Sequence, residues 1–482
     1  MSANPYVRDT FYIGGQWVKP ASDRRFTLID ANTEETLGSA PEAVEADVDK
    51  AVAAARAAFD GGEWRRFTPA QRAEVMTRFI GALAKRGGDI ARAVSSQNGM
   101  PIAISQAFEG QFPLGLLSFY AEMASGLASE EKRPSQMGKE TWVSRAPIGV
   151  VAAIVPWNFP VTLAISKIAP AMAAGCTVVI KPSPGTILDS YFLAEAAEEA
   201  GVPAGVLNWV AADRAVGAYL VSHPGVDKVA FTGSTGAGRI IAKACGELLR
   251  PVTLELGGKS AAIILDDADL DVVVAGIPTA SIFNNGQTCY SCTRILAPQS
   301  RYNQVVDAMA SMAAGLNVGS ALDPATQIGP MASSGHRDRV LDYIAKGKAE
   351  AKLVAGGGKP KAQSRGWFVE PTIFANVTND ATIAREEIFG PVLSVIPYRD
   401  EAEAIRIAND SIYGLGGSVW SKDATRARSV AAQVQTGTIG INGYVPSIGS
   451  PFGGVKASGL GRELGPEALG GYQQMKSTYV MG

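Results

Sequence analysis

Two side chains in this sequence have the types and placement for nucleophilic chemistry: Cys289, in Phe283-Asn-Asn-Gly-Gln-Thr-Cys289-Tyr-Ser-Cys292, and Glu255, in Glu255-Leu-Gly-Gly-Lys259. A thiol becomes a strong nucleophile once a nearby base takes its proton. Cys289 stands just past a helix-length segment, on a glycine-containing loop. Glu255 lies 34 residues upstream and closes an apolar strand-length run; the two glycines behind it let the backbone approach a neighbour closely. A lone cysteine is more often a small core hydrophobe. A thiol and a carboxylate at the ends of two elements together form a candidate nucleophile and base.

Other chemistries fit less well. Cys289 and Cys292 make a C-x-x-C, the pattern of a redox dithiol or of half a zinc site. The only other cysteines are Cys176 and Cys245, and the only histidines His223 and His336, so the four ligands of a structural zinc are not assembled and no metal is expected. Neither histidine falls near a motif, which counts against a cysteine hydrolase with a histidine base. Gly257-Gly258-Lys259-Ser260 resembles a phosphate loop, but Thr253 stands where that loop needs its first glycine.

The surrounding pattern is that of an α/β protein. Phe11 to Val18 reads as a hairpin turning on Gly14-Gly15. Asp47 to Phe59 has helical spacing, and Thr68-Pro69-Ala70-Gln71 opens a second helix expected to stop near Gly87-Gly88. Apolar runs at Val150 to Val155, Thr177 to Ile180, Val206 to Val210, Lys228 to Phe231 and Val252 to Leu256 alternate with helix-length segments, the signature of a parallel sheet. A second series includes Ala262 to Leu265, a helix Leu270 to Phe283, Thr293 to Ala297 and Val392 to Tyr398. Gln473 to Val480 reads as a final strand with nothing after it to pair with, expected to complete a neighbouring subunit's sheet.

At 482 residues the chain exceeds a single hydrophobic core and should form two or three domains. Its 44 Lys and Arg against 46 Asp and Glu give no field to attract nucleic acid or an anionic membrane, so small-molecule ligands are favoured. Few scattered cysteines and no basic-then-apolar leader point to a cytoplasmic protein, and Pro156, Asn158, Pro160 and Lys167 break the one long apolar stretch.

Along nearly its whole length the chain resembles the NAD(P)-dependent aldehyde dehydrogenases, in their non-acylating, hydrolytic branch. The resemblance rests on Pro156-Trp157-Asn158-Phe159-Pro160, Lys181-Pro182, Phe231-Thr232-Gly233-Ser234-Thr235 through Gly238, Glu255 to Lys259, and Gly286-Gln287-Thr288-Cys289. Glu387-Ile388-Phe389-Gly390-Pro391 and Pro451-Phe452-Gly453-Gly454 with Ser458-Gly459 complete it. It implies two doubly wound α/β domains plus a small β oligomerisation element. The dinucleotide-binding domain would comprise 1–124 and 148–257, the catalytic domain 258–457, and the oligomerisation element 125–147 with 458–482. A homodimer or homotetramer is expected.

The resemblance also implies roles. Cys289 would be the nucleophile, Asn158 the oxyanion donor, and Glu255 the base that activates the water hydrolysing a Cys289 thioester. Glu463 falls where some relatives place a proton relay, although a surface salt bridge fits it equally well. The cofactor would lie along Ile154, Val155, Pro156, Trp157, Lys181, Ser183, Pro184, Gly233, Ser234, Gly238, Leu256 and Gly257. Phe389 would lie along it too, and Glu387 would hold the nicotinamide ribose. Phosphate suits a helix start such as Ser234 because free N–H groups and the positive dipole end meet there. Many NAD-preferring relatives carry an acid where Pro184 stands, so NADP is admissible beside NAD. Asp213 could accept a ribose hydroxyl, and Arg214 could meet a phosphate.

The substrate tunnel is expected among Phe159, Leu163, Phe283, Thr288, Tyr290, Ile448 and Phe452, none of them cationic. Relatives acting on acidic semialdehydes often carry arginine where this chain has Ser166, so a neutral, apolar aldehyde is expected. The competing readings are a cysteine esterase or thioesterase without cofactor, and a CoA-acylating aldehyde dehydrogenase. The acylating branch typically lacks the glutamate found here as Glu255.

Overall fold

The computed structural model describes residues 4–128 and 130–481. In the strands Val150–Ile154, Thr177–Lys181 and Lys228–Thr232 every residue is buried. That is what a parallel sheet covered on both faces demands, and it explains their uninterrupted apolar runs. With Leu207–Trp209 and Val252–Glu255 they form the parallel centre of an eight-stranded sheet, flanked by the hairpin Phe11–Ile13 and Gln16–Val18 on one side and Gly459–Leu460 on the other.

From Val150–Ile154 the chain first winds one way, to Thr177–Lys181 and Leu207–Trp209. It then returns to the other side, to Lys228–Thr232 and Val252–Glu255. The winding reverses beside Val150–Ile154, and in open α/β sheets ligands bind outside the strand ends at such a point. Register places the strand ends together, with Phe231 opposite Ile154 and Thr232 opposite Glu255. Pro156 to Asn158, Gly233-Ser234 and Glu255 therefore emerge at one edge.

A second sheet of seven strands runs in the order Lys352–Ala355, Thr372–Ala375, Val392–Tyr398, Arg294–Pro298, Ala261–Ile264, Gly417–Trp420, Gly440–Ile441. All neighbours are parallel except the first pair. The loop bearing Cys289 links its helix Leu270–Ser281 to the strand Arg294–Pro298. Among the described residues no helix is long and apolar enough to cross a membrane.

Two sequence expectations need correction. The capping box at Thr68 is present, but its helix, Pro69–Ala84, ends before the glycines, and Gly87-Gly88 open the next helix, Gly87–Asn98. The two segments approach closely there, and the tighter position is Gly110, where a Cβ would lie 3.3 Å from the Gly87 carbonyl oxygen. The last strand, Gln473–Val480, is not an orphan. It pairs antiparallel within its own chain with Glu140–Pro147, from Gln473 opposite Pro147 to Val480 opposite Glu140, in a three-stranded sheet completed by Glu130–Arg133. The partner strand lies within the segment 125–147 that the resemblance groups with this end of the chain.

Candidate active site

The loop before Cys289 is held in a conformation that the backbone would not choose. Asn284, Asn285 and Gly286 have φ of 51°, 61° and 75°, three left-handed residues in succession. Such residues persist only where the surroundings over-determine them. Here buried amides do so. Asn285 Nδ2 donates to Gly99 O at 2.8 Å and Pro330 O at 2.9 Å, while its Oδ1 accepts the Gly329 N–H at 2.7 Å. Gln287 Oε1 accepts the Ala332 N–H at 2.9 Å, and Gln287 Nε2 donates to Asn98 O at 3.2 Å. A Cβ on Gly286 would lie 2.2 Å from Gly390 O, so only glycine fits.

The same network seats Asn158. Its backbone carbonyl accepts Asn284 Nδ2 at 2.9 Å, and its side-chain Nδ2 donates to Gln287 O at 3.0 Å. One of the two amide hydrogens is thus used for orientation and the other remains to donate. Asn98, Asn284, Asn285 and Gln287 carried no role in the sequence reading. The signal for Asn284 and Asn285 was the Asn-Asn-Gly run, which marks a left-handed turn.

Asn158 and Cys289 stand where two cavities meet. One is an apolar cavity, the other a polar cleft, and among the described residues these two side chains alone line both. The cleft continues into a larger one through Pro156, Trp157, Thr232, Gly233 and Ser234. Burial, with the carboxylates of Glu387 and Glu255, pushes the Cys289 thiol well above its ordinary value.

Glu255 ends its strand inside the polar cleft, 3% exposed, with neither carboxylate oxygen hydrogen-bonded. A Cβ on Gly453 would come within 2.6 Å of Glu255 Oε1, so this glycine gives the carboxyl its room. Burial, then Glu463, raises Glu255 well above the usual carboxylate range, and Lys167 and Arg462 oppose the shift. Glu463 is no surface salt bridge. It is 3% exposed and lies 2.7 Å from the fully buried Lys167 Nζ; it also accepts Ser166 Oγ at 2.9 Å. Lys167 further donates to Thr232 Oγ1 at 2.6 Å.

The cofactor-type residues divide along the cleft. Ile154, Val155, Lys181, Ser183 and Pro184 line its outer part together with Arg214; Leu256, Gly257, Glu387 and Phe389 line its inner part. Ser234 caps the helix Thr235–Glu247 whose first turn faces the cleft, a natural anion site. Gly238 lines neither part: a Cβ there would lie 2.5 Å from Leu256 Cδ2, so it serves helix-to-loop packing. A Cβ on Gly257 would lie 2.3 Å from Glu387 Oε2. Glu387 accepts the Gly258 N–H at 3.0 Å, and burial lifts it to about 7 against the pull of that N–H and Lys259. Lys181 Nζ donates to Ala212 O at 2.8 Å and Pro182 O at 3.1 Å; burial lowers it to about 8.

His336, which the sequence placed near no motif, lies in this cleft. Its ring packs edge-on against Trp157 at 5.1 Å, its Nε2 lies 2.7 Å from Phe389 O, and burial lowers it to about 4. Its neighbour Arg339 donates to Glu387 O at 2.7 Å and lines the same space. Both come from the helix Ser334–Glu350, roughly 50 residues before Glu387, where no local pattern announces the contact.

Residues 17–478 match the model of the aldehyde dehydrogenase family. The chain belongs to that family. It is an oxidoreductase acting on the aldehyde group. It is 59% identical to a geranial dehydrogenase of Castellaniella defragrans, covering 98% of each chain. It is 39% identical to a phenylacetaldehyde dehydrogenase of Pseudomonas fluorescens, over 97% of this chain and 95% of the relative. A crystal structure of a Mycobacterium tuberculosis aldehyde dehydrogenase complexed with NAD+ superposes with a TM-score of 0.96 at 46% identity, covering 98% of each chain.

On the side of this aldehyde dehydrogenase away from the cleft, the apolar cavity is lined by Phe159, Leu163, Thr288, Tyr290 and Phe452, among others. Phe283 stands behind that wall, stacked on Phe159 at 6.1 Å and edge-on to Phe108 at 4.8 Å. Ile448 is not part of the lining; its Cδ1 packs against Gly115. Phe108 and Phe112 were missed. They come from the π-helical turn Gln106–Gln111 and the residue after it, where side chains leave the α-helical period that sequence patterns reveal.

Proposed function

We propose that this enzyme oxidises a neutral, apolar aldehyde to its carboxylic acid through a thioester on Cys289. The observation that carries the reading is that Cys289 and Asn158 line both the apolar cavity and the polar cleft. An aldehyde held among Phe108, Phe159, Leu163 and Phe452 presents its carbonyl carbon to the sulfur at that junction. The Cys289 thiol gives its proton to water in the cleft as the sulfur adds to that carbon, creating an alkoxide, which the free Asn158 N–H and the Cys289 backbone N–H stabilise. A bound nicotinamide dinucleotide supplies the hydride acceptor. Collapse of the alkoxide then leaves the acyl group on sulfur.

Glu255 takes the proton of the water that attacks this thioester, and the acid and the free thiol separate. Its raised proton affinity suits a base that must bind a proton at neutral pH and lose it again. Lys167 and Glu463, buried beside it, form an ionic group through which that proton can pass outward. No acidic substrate is favoured, since no free cation lines the cavity among the described residues and Lys167 is committed to Glu463. The names of the geranial and phenylacetaldehyde relatives support the apolar class.

The cleft fits a dinucleotide. Its glycines 233 and 257 leave no space for a side chain, and a capped helix start faces the middle of it. NAD is the expected cofactor, in keeping with the NAD+-bound structural relative. NADP is admitted: Pro184 carries no charge to repel a 2′-phosphate, and the Asp213 carboxylate is engaged in capping the Val216 N–H at 2.9 Å. The outer sheet strand Gln473–Val480 exposes Met475 at 73% and Tyr479 at 67%, which supports assembly into a homodimer or homotetramer. The test is kcat/KM for geranial, phenylacetaldehyde, octanal and succinate semialdehyde with each dinucleotide. The apolar aldehydes should lead by at least tenfold; a succinate semialdehyde preference overturns the substrate reading.

A further inference from the structure

The helix Pro160–Ala174 carries Leu163, Ser166 and Lys167 and follows directly on Asn158. Its N-cap is Phe159, whose side chain cannot satisfy the free N–H groups of a first turn. The missing acceptor comes from another element. Glu109, in the π-helical turn Gln106–Gln111, accepts the Val161 N–H through Oε2 at 2.7 Å. A second tie joins the same two elements, where Thr162 Oγ1 donates to Phe108 O.

Glu109 is an expensive residue in this place. It is 1% exposed, its Oε1 has no hydrogen-bond partner, and none of the chain's basic side chains pairs with it among the described residues. Burial pushes its carboxyl well up, with Asp189 adding to the shift and the Val161 N–H opposing it. A position that needed only volume would be better filled by leucine or methionine, because a buried carboxyl costs free energy unless it is hydrogen-bonded. What it does at that cost is hold the turn that supplies Phe108 to the tunnel wall against the helix start that bears Asn158.

We propose that Glu109 is a positioning residue for aldehyde oxidation: by capping the helix Pro160–Ala174 at Val161 it fixes the Asn158 amide over Cys289 and ties that donor to the tunnel wall. The inference rests on the assignment of Asn158 as the oxyanion donor. Glu109→Gln keeps an acceptor for the Val161 N–H in a neutral group of the same shape. Glu109→Leu removes it.

The experiment is a double-mutant cycle on the full-length enzyme with NAD and octanal, reading the rate of the first turnover of reduced dinucleotide, the dissociation constant of NAD and the far-UV spectrum. Glu109→Leu should slow the first turnover roughly 10- to 100-fold with NAD affinity within about twofold, and Glu109→Gln should restore it to within about threefold of the parent. In an Asn158→Ala background Glu109→Leu should cost less than about threefold more, because its effect passes through that amide. Should the leucine variant fail to fold, Glu109→Ala takes its place in the cycle. A rate within twofold of the parent, or an equal loss in both backgrounds, overturns the positioning role. A single Asn158→Ala variant with an unchanged first turnover instead overturns the oxyanion assignment on which it stands.

Discussion

Lys167 Nζ lies 2.7 Å from Glu463 Oε1, and both side chains are closed off from water beneath the carboxyl of Glu255. Breaking a buried pair leaves a charge without its partner, which costs far more than a pair at the surface does. Lys167→Met should lower the unfolding free energy by about 3–5 kcal/mol in urea titration. Adding Glu463→Leu should recover most of that loss. A double variant no more stable than the single one would contradict the paired arrangement.

Asn158→Ala removes the orienting bond to Gln287 O together with the free N–H. Losing one oxyanion donor costs about 2.7–4 kcal/mol, a fall of roughly 10² to 10³ in kcat. The dinucleotide dissociation constant should stay within about twofold, since the cleft is built largely from other residues. A weakened dinucleotide with intact kcat would place the amide in binding instead.

The thiol of Cys289 is raised by burial first, then by Glu387 and Glu255. A raised value means that the reactive thiolate is scarce at neutral pH and grows with alkalinity. Alkylation of the enzyme without dinucleotide by iodoacetamide, scored at residue 289 by mass spectrometry, should accelerate about tenfold per pH unit from 7 upward with no plateau below pH 9. Saturation near pH 7 would mean an already ionised sulfur.

Arg214 lines the outer cleft, and the adjacent Asp213 is occupied as a helix cap. Arg214→Ala should lower kcat/KM for NADP about tenfold, the scale of one charge-assisted phosphate contact at a partly wet site, and leave NAD within about twofold. Equal losses with both dinucleotides would remove Arg214 from any role in the 2′-phosphate.

Much of this architecture is written locally. Val150–Ile154 and Lys228–Thr232 announce themselves as buried parallel strands, and Thr68 to Gln71 as a helix start, because their physics is confined to a few neighbouring residues. Glu255 and Cys289 stand out because each ends or follows such an element. What the sequence hides is set by contacts between distant segments. Glu463 meets Lys167 across 296 residues, and His336, on the helix Ser334–Glu350, meets Trp157 in the loop after Val150–Ile154. Phe108 enters the tunnel through a π-helical turn that has no sequence period. The pairing of Gln473–Val480 with Glu140–Pro147 likewise joins distant segments: the resemblance groups them in one element, but no local pattern gives the register.

In the proposed reaction an acyl group rests on Cys289 and leaves only when Glu255 activates water. Rapid mixing of Glu255→Gln with NAD and octanal, followed by intact-mass analysis, separates the two steps. One equivalent of reduced dinucleotide should appear per active site and then stop, with the mass of an octanoyl group retained on residue 289, while Cys289→Ala gives neither signal. Sustained turnover in Glu255→Gln, or a burst that leaves no acyl mass on the protein, would contradict it.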